Sequence, residues 1–181
     1  MKQITFITGN PGKAERIRKH LPIELLHQAI DLNEIQSLNL QEVAGHKAQE
    51  AYKFVQGPVL VEDVSLVFNA LGALPGPLIK WFLKELDNPG LCKLLDGYTD
   101  RSAVAKVCFA LFDGKETYFF ENERSGTIVL EPRGKKLFGW DTIFVPDGYE
   151  KTWGEMTEEE TVPSSMRRPA LKKLQEFLTT T

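Results

Sequence analysis

The chain has 181 residues, 42% apolar and 26% charged, the balance of a globular protein with one substantial core, and it is not that of a disordered or fibrous chain. A formal net charge of −3 and a pI near 5.7 provide no general basic field, which argues against a duplex DNA binder. Two cysteines without a CxxC spacing or a histidine cluster, and no apolar run long enough for a signal-peptide core or a bilayer span, point to a cytoplasmic protein with reduced core thiols and with neither a membrane nor a nucleic-acid partner.

In chain order, residues 2–7 read as a buried first strand, and residues 13–21 as a helix with Ala14, Ile17 and Leu21 on one face, stopped by Pro22. Between them lies Thr8-Gly9-Asn10-Pro11-Gly12-Lys13. A strand-to-helix turn of this composition suits a phosphate. Glycines admit the ligand close to the backbone, N–H groups at a helix N-terminus face an anion, and lysine adds positive charge. Ordinary turn chemistry explains the same residues equally well. The turn is not a Walker loop, because Ile7 and Ala14 stand where that motif needs a glycine and a serine or threonine, and it is not the dinucleotide-binding G-x-G-x-x-G.

Residues 24–29 return as a second strand, and residues 30–34 continue as an extended segment bearing Asp31 and Glu34. Residues 40–54 form a helix, with Val43, Ala44, Ala48, Ala51 and Val55 on its packing face. Val59-Leu60-Val61 is a short apolar strand that ends at Glu62-Asp63, since unpaired carboxylates are costly inside a core. A Gly/Pro-rich loop over residues 69–77 precedes helices over 78–86 and 89–95. Residues 102–112 and 117–120 flank Asp113-Gly114-Lys115 as a hairpin, residues 124–130 form a further strand, residues 132–139 a basic loop, and residues 169–178 the last helix. A βα section followed by an antiparallel one indicates a mixed α/β fold in a single domain over residues 1–181.

Glu34, Glu62 and Asp63 are the candidates for a hard cation such as Mg²⁺, which takes carboxylate and phosphate oxygens. Solvated acids at a strand end and in a loop are the competing account. Lys47 and Lys80 carry the same ambiguity. Phe138-Gly139-Trp140-Asp141 offers aromatics to stack on a flat base and an acid to accept from its ring N–H edge, against a buried aromatic turn. Arg167 offers a donor to a base carbonyl or phosphate, against a serine-capped helix start.

Taken together, these stretches resemble the Ham1-like inosine triphosphate pyrophosphatases, the eukaryotic branch in particular. The matching residues are Thr8 to Lys13 as written above, Gly57-Pro58-Val59-Leu60-Val61-Glu62-Asp63, Asn69-Ala70-Leu71-Gly72-Ala73-Leu74-Pro75-Gly76-Pro77, Ile79-Lys80-Trp81-Phe82, and Phe138-Gly139-Trp140-Asp141 continuing to Phe144, Pro146-Asp147-Gly148-Tyr149 and Glu155-Met156. The resemblance implies an elongated, mixed, twisted β-sheet flanked by helices, with two lobes, a central nucleotide cleft, and a homodimer. It implies Mg²⁺-dependent hydrolysis, with Mn²⁺ as a substitute, of ITP, dITP and XTP to the monophosphate and pyrophosphate. By position, Thr8, Gly9, Asn10, Gly12 and Lys13 would hold phosphates, and Glu34 and Asp63 the metal. Asp63 would also take the proton of the attacking water, with Glu62 and Lys13 beside it. Lys47, Lys80, Phe138, Gly139, Trp140, Asp141 and Arg167 would bind the purine nucleoside triphosphate. The chain departs from the family near its C-terminus. Thr161 and the triplet Ser165-Met166-Arg167 stand where the family carries a lysine and Ser-His-Arg. Losing two donors implies altered base selectivity, at about 1–3 kcal/mol per good contact.

Overall fold

The first strand and helix follow from the apolar run and the cap beside it. In the computed structural model, which describes residues 3–135 and 138–180, β1 (Gln3–Ile7) buries Ile4, Phe6 and Ile7. Lys2 of the expected strand, and Lys136 and Leu137 of the expected basic loop, lie outside the described residues. Helix α1 (Pro11–Arg18) starts two residues earlier than the apolar spacing suggests. The side chain of Asn10 accepts from the Lys13 N–H as N-cap, and Pro11 occupies the first turn, where its missing N–H costs nothing. After Arg18 the chain continues only as a turn, with the His20 N–H bonded to the Ile17 carbonyl. β2 (Glu24–Gln28) then pairs parallel to β1, from Gln3 opposite Glu24 to Ile7 opposite Gln28. A parallel neighbour requires a crossover, and α1 is that crossover.

Helix α2 (Leu40–Val55) is capped by Asn39, whose side chain accepts from the Gln41 and Glu42 N–H groups. Its packing face is built of small residues, Ala44, Ala48 and Ala51, all fully buried. They cluster with Val59 and Val61 of β3 (Val59–Phe68) and with Cys108 and Ala110. β3 corrects one expectation. It does not end at Glu62-Asp63 but runs ten residues straight through them. The acids are tolerated in mid-strand because each meets a cation, as described below.

After a short 3₁₀ turn (Asn69–Leu71), β4 (Pro75–Gly76) pairs antiparallel to β3. The two expected helices are both present: the span Ile79–Lys93, taken together as α3, is two helices joined at Asp87, whose φ of 50° and ψ of −175° are non-helical, two residues before Pro89. β5 (Ser102–Phe112) and β6 (Thr117–Ile128) form the hairpin, and the Asp113 side chain accepts from the Lys115 and Glu116 N–H groups in its turn. β6 is a second correction: residues 117–120 and the expected separate strand from 124 are one strand. The acids of the polar stretch between them are paired through their side chains, Gln41 donating to Glu121 at 2.5 Å and Lys106 meeting Glu123 at 3.0 Å.

β7 (Phe144–Pro146) pairs antiparallel to β6. Helix α4 (Glu158–Ser164), which the sequence did not lead us to expect, carries a full capping box between Thr157 and Glu160, and Glu158-Glu159-Glu160 form its first turn. The last helix, α5 (Arg167–Thr180), buries Ala170, Leu171, Leu174 and Leu178. The seven strands form one mixed sheet in the order β2-β1-β3-β5-β6-β7, with β4 on β3, flanked by helices as expected. Among the described residues no helix is long and apolar enough to cross a membrane.

The chain forms two compact units. The first comprises residues 1–64, 107–122 and 167–181 within the described ranges, and the second residues 65–106 and 123–166. The first has the α2 cluster as its core. The second buries Phe68, Ile79, Leu91, Ile143 and Phe144, the last stacked against Trp153 at 4.6 Å between ring centroids.

Candidate active site

In the first unit, β1 delivers the chain to the turn at residues 8–13, whose shape is set by its own side chains. The Thr8 hydroxyl accepts from the Asn10 N–H at 3.1 Å, and Asn10 Oδ1 accepts from the Lys13 N–H at 3.0 Å. His27 of β2 donates its Nε2–H to the Thr8 carbonyl at 2.6 Å, a support that sequence spacing did not reveal, because it depends on the parallel pairing of β1 and β2. Gly9 and Gly12 are exposed. Neither has a positive φ, and a Cβ at Gly9 would meet nothing within 4 Å, while at Gly12 it would meet Asn10 Oδ1 at 3.4 Å. The packing of the turn therefore does not demand glycine at position 9.

Strand geometry sorts the two adjacent acids. Successive side chains alternate faces, so Asp63 continues the row of Val59 and Val61 that packs on α2, and Glu62 points the opposite way. On α2, Lys47 lies three residues after Ala44 and four before Ala51, on the face turned to that row. Lys47 Nζ stands 3.1 Å from Asp63 Oδ2 and 3.3 Å from Glu34 Oε1, so one ammonium joins the two acids. Glu62, whose side chain is fully buried, is held by Lys13 Nζ at 3.1 Å and by Arg167 Nε at 2.9 Å, through the same oxygen Oε1. Lys13 also lies 5.9 Å from the centroid of the Phe6 ring.

These environments push the groups apart. Burial drives Glu62 upward, but Arg167 and Lys13 more than reverse it and hold the carboxyl below the usual glutamate range. Burial raises Asp63 above the usual aspartate range against the pull of Lys47, whose charge is divided between two acids. Burial lowers Lys13 despite Glu62, and Lys47 is raised because Asp63 and Glu34 outweigh its own burial. The thiols take no part. Burial pushes Cys92 up to about 11 and Cys108 higher still, leaving neither with thiolate character near neutral pH. Among the described residues no three His, Cys, Asp or Glu side chains converge as a metal cluster; of the acids expected to hold a metal, Glu34 and Asp63 are brought together on the Lys47 ammonium.

The other expected site residues belong to the second unit. Lys80 lies exposed in the first turn of α3, with its Nζ 5.5 Å from the centroid of the Trp81 ring. The turn at 138–141 is closed by the Asp141 N–H donating to the Phe138 carbonyl at 2.9 Å. Phe138 and Trp140 meet edge to face at 5.7 Å, and Trp140 is buried, 2% exposed. Gly139 has φ +29°. Near the C-terminal departure, the Thr161 hydroxyl donates back to the Glu158 carbonyl at 2.8 Å, and Met166 is buried. The expected residues thus gather as Thr8 to Lys13, Glu34, Lys47, Glu62, Asp63 and Arg167 in one unit, and as Lys80 with Phe138 to Asp141 in the other.

The model of the Ham1 family matches residues 4–177. Among solved structures, the chain is similar to the Ham1 protein of Staphylococcus aureus at 27% identity, with 99% of both chains covered and a TM-score of 0.88. It is similar to a HAM1 protein from Coxiella burnetii at 26% identity over the full length of both chains, with a TM-score of 0.90. A nucleoside-triphosphatase, dITP/XTP pyrophosphatase, from Mycobacterium abscessus matches at 26% identity, with 95% of this chain and 98% of that chain covered and a TM-score of 0.79.

Proposed function

From the premise that this chain belongs to the Ham1 family and is a pyrophosphate-releasing nucleoside triphosphate hydrolase, we propose that it hydrolyses ITP, dITP and XTP to the monophosphate and pyrophosphate in a Mg²⁺-dependent reaction. The observation that carries this reading is the sorting of the two adjacent acids, Glu62 to Lys13 and Arg167, Asp63 to Lys47 and Glu34.

In this reading the turn at Thr8, Gly9, Asn10 and Gly12 holds phosphate oxygens, and Lys13 reaches them from its anchorage on Glu62. The exposed glycine at position 9, which packing does not require, supports close approach of a ligand to the backbone. Asp63 accepts the proton of the attacking water. Its carboxylate lies on the side of β3 that faces Lys47 and Glu34, apart from the Glu62 pair. Glu62 serves chiefly to orient Lys13 and Arg167, because its carboxylate points away from Asp63.

The donors fit Mg²⁺, or Mn²⁺ in its place. Glu34 and Asp63 are hard oxygen ligands, and the pair already draws one cation, the Lys47 ammonium, to the space between them. A divalent ion held there supplies charge neutralisation to the phosphate oxygens. Lys47 and Lys80 contribute further positive charge to the triphosphate, while Phe138, Gly139, Trp140, Asp141 and Arg167 are assigned to the nucleoside end. A homodimer in the cytoplasm completes the proposal.

A second reading keeps the hydrolysis and changes the base. The Thr161 hydrogen is used inside α4 and the Met166 thioether has no hydrogen to donate, so neither replaces the donors implied by the resemblance. One experiment separates the readings: kcat/KM for a panel of ITP, XTP, dITP, GTP and ATP, with products identified. ITP and XTP leading the panel, with pyrophosphate released, is the expected result. Another base in the lead establishes the second reading, and orthophosphate with IDP, or no turnover, rejects both. Asp63→Asn is expected to lower kcat by about 10²–10⁴-fold, the range for loss of a positioned base.

A further inference from the structure

We propose that Asn88 is the positioning residue for base recognition: from the kink of α3 it fixes the peptide that sets the turn at 138–141, and so the affinity for the nucleoside half of the substrate. The proposal rests on the assignment of that turn to the base.

Asn88 is a polar side chain only 3% exposed, next to the kink residue Asp87. Its Nδ2 donates to the Gly139 carbonyl at 3.0 Å and to the Thr142 hydroxyl at 2.7 Å. The orientation of the amide follows from chemistry, because a backbone carbonyl only accepts and so must face the NH₂ group. One contact falls inside the candidate recognition turn, at Gly139, and the other just past it, at Thr142. Glycine at 139 leaves that peptide free to rotate, and rotation there swings the Phe138 ring and the Asp141 carboxyl relative to each other. The backbone bonds of the segment, Asp141 N–H to Phe138, Ile143 N–H to Trp140 and Gly154 N–H to Asp141, close the turn and tie down its far side. The Gly139 carbonyl is held instead by Asn88. Leu83, one turn before the kink, places its Cδ1 3.6 Å from where a Gly139 Cβ would stand, so α3 supports the turn at two points. Helix α3 also carries Lys80 in its first turn.

The test uses titration calorimetry with IMP, which carries the base, and with pyrophosphate, which does not, on wild type, Asn88→Ala, Asn88→Leu and Thr142→Val. Asn88→Leu keeps the volume and serves where the cavity left by alanine prevents folding, and Thr142→Val removes one partner without changing size. Weakening of IMP by about tenfold in both Asn88 variants, with pyrophosphate unchanged, is expected for the loss of one well-made hydrogen bond. Thr142→Val shifts IMP in the same direction by a smaller factor. A purely structural role weakens both ligands together, and that result, or unchanged IMP affinity in a folded Asn88 variant, overturns the proposal. A wild type that yields IDP and orthophosphate overturns the proposed reaction while the IMP titration still reads Asn88. A wild type that binds pyrophosphate and ignores IMP overturns the base assignment and this proposal with it.

Discussion

At the scale of single residues, the decisive contrast is between Glu62 and Asp63, neighbours in sequence with opposite electrostatic fates. Glu62 is fully buried and doubly paired, and its folded pKa lies below that of the unfolded chain. The native protein therefore keeps the charge where the unfolded chain takes up a proton. That contribution is complete above the ordinary glutamate value of about 4.3 and is lost as pH falls through the lower native value. Glu62→Gln leaves Lys13 and Arg167 without their carboxylate. Because both cations keep some contact with water, a loss near about 3 kcal/mol at pH 7 is expected, the low end for a broken buried pair. Thermal melts of variant and wild type should draw together as pH falls below about 4.3; a gap that stays constant as the pH is lowered would show that the charge of Glu62 is not what the variant removes. Gly9 gives a complementary expectation. Gly9→Ala meets no protein atom within 4 Å, so stability should hold within about 0.5 kcal/mol while KM for ITP rises. A loss of stability with KM unchanged would make the glycine structural.

At the scale of elements, α2 is a platform for one cation. Its alanines let the helix approach β3 closely, and the same face then carries Lys47 to Asp63. Asn39 fixes where this helix begins by accepting from two of its first N–H groups. Asn39→Ala should cost about 1 kcal/mol, read as a lower urea midpoint at unchanged slope. A changed slope would mean that the substitution alters the compactness of a state as well. The strands misjudged from sequence share one cause. β3 and β6 contain polar pairs or triplets that look like strand ends, and each is satisfied by side chains distant in sequence: Lys13, Lys47 and Arg167 for β3, Gln41 and Lys106 for the middle of β6. Helix α4 was missed from the sequence although its capping box joins Thr157 and Glu160 within one turn, a local signal that needs no distant partner.

At the scale of the molecule, each of the two units is assembled from separated stretches of chain, with crossings after residues 64, 106, 122 and 166. Neither unit is a contiguous piece that could unfold while leaving the chain of the other unconstrained, and β3, β5 and β6 each pass from one to the other. A single cooperative transition is therefore expected. The three tryptophans, Trp81, Trp140 and Trp153, all belong to the second unit, whereas far-UV circular dichroism reports helices of both. Coincident urea curves by fluorescence and dichroism are the expected outcome, and separated curves would show two units melting in turn.

The sequence by itself determined the mixed α/β class, the strand-turn-helix at residues 3–18, the packing face of α2, the hairpin at Asp113, and the set of motifs whose order places the chain in its family. These are local: apolar periodicity, caps and turn residues act over a few positions. Tertiary structure alone decided that Glu62 belongs with Lys13 and Arg167 and Asp63 with Lys47 and Glu34, that His27 holds the Thr8 carbonyl, and that Asn88 holds Gly139. Those pairings join residues up to 105 positions apart. Which partner a buried charge or carbonyl finds depends on strand alternation, register and helix placement acting together, and spacing along the chain encodes none of these directly.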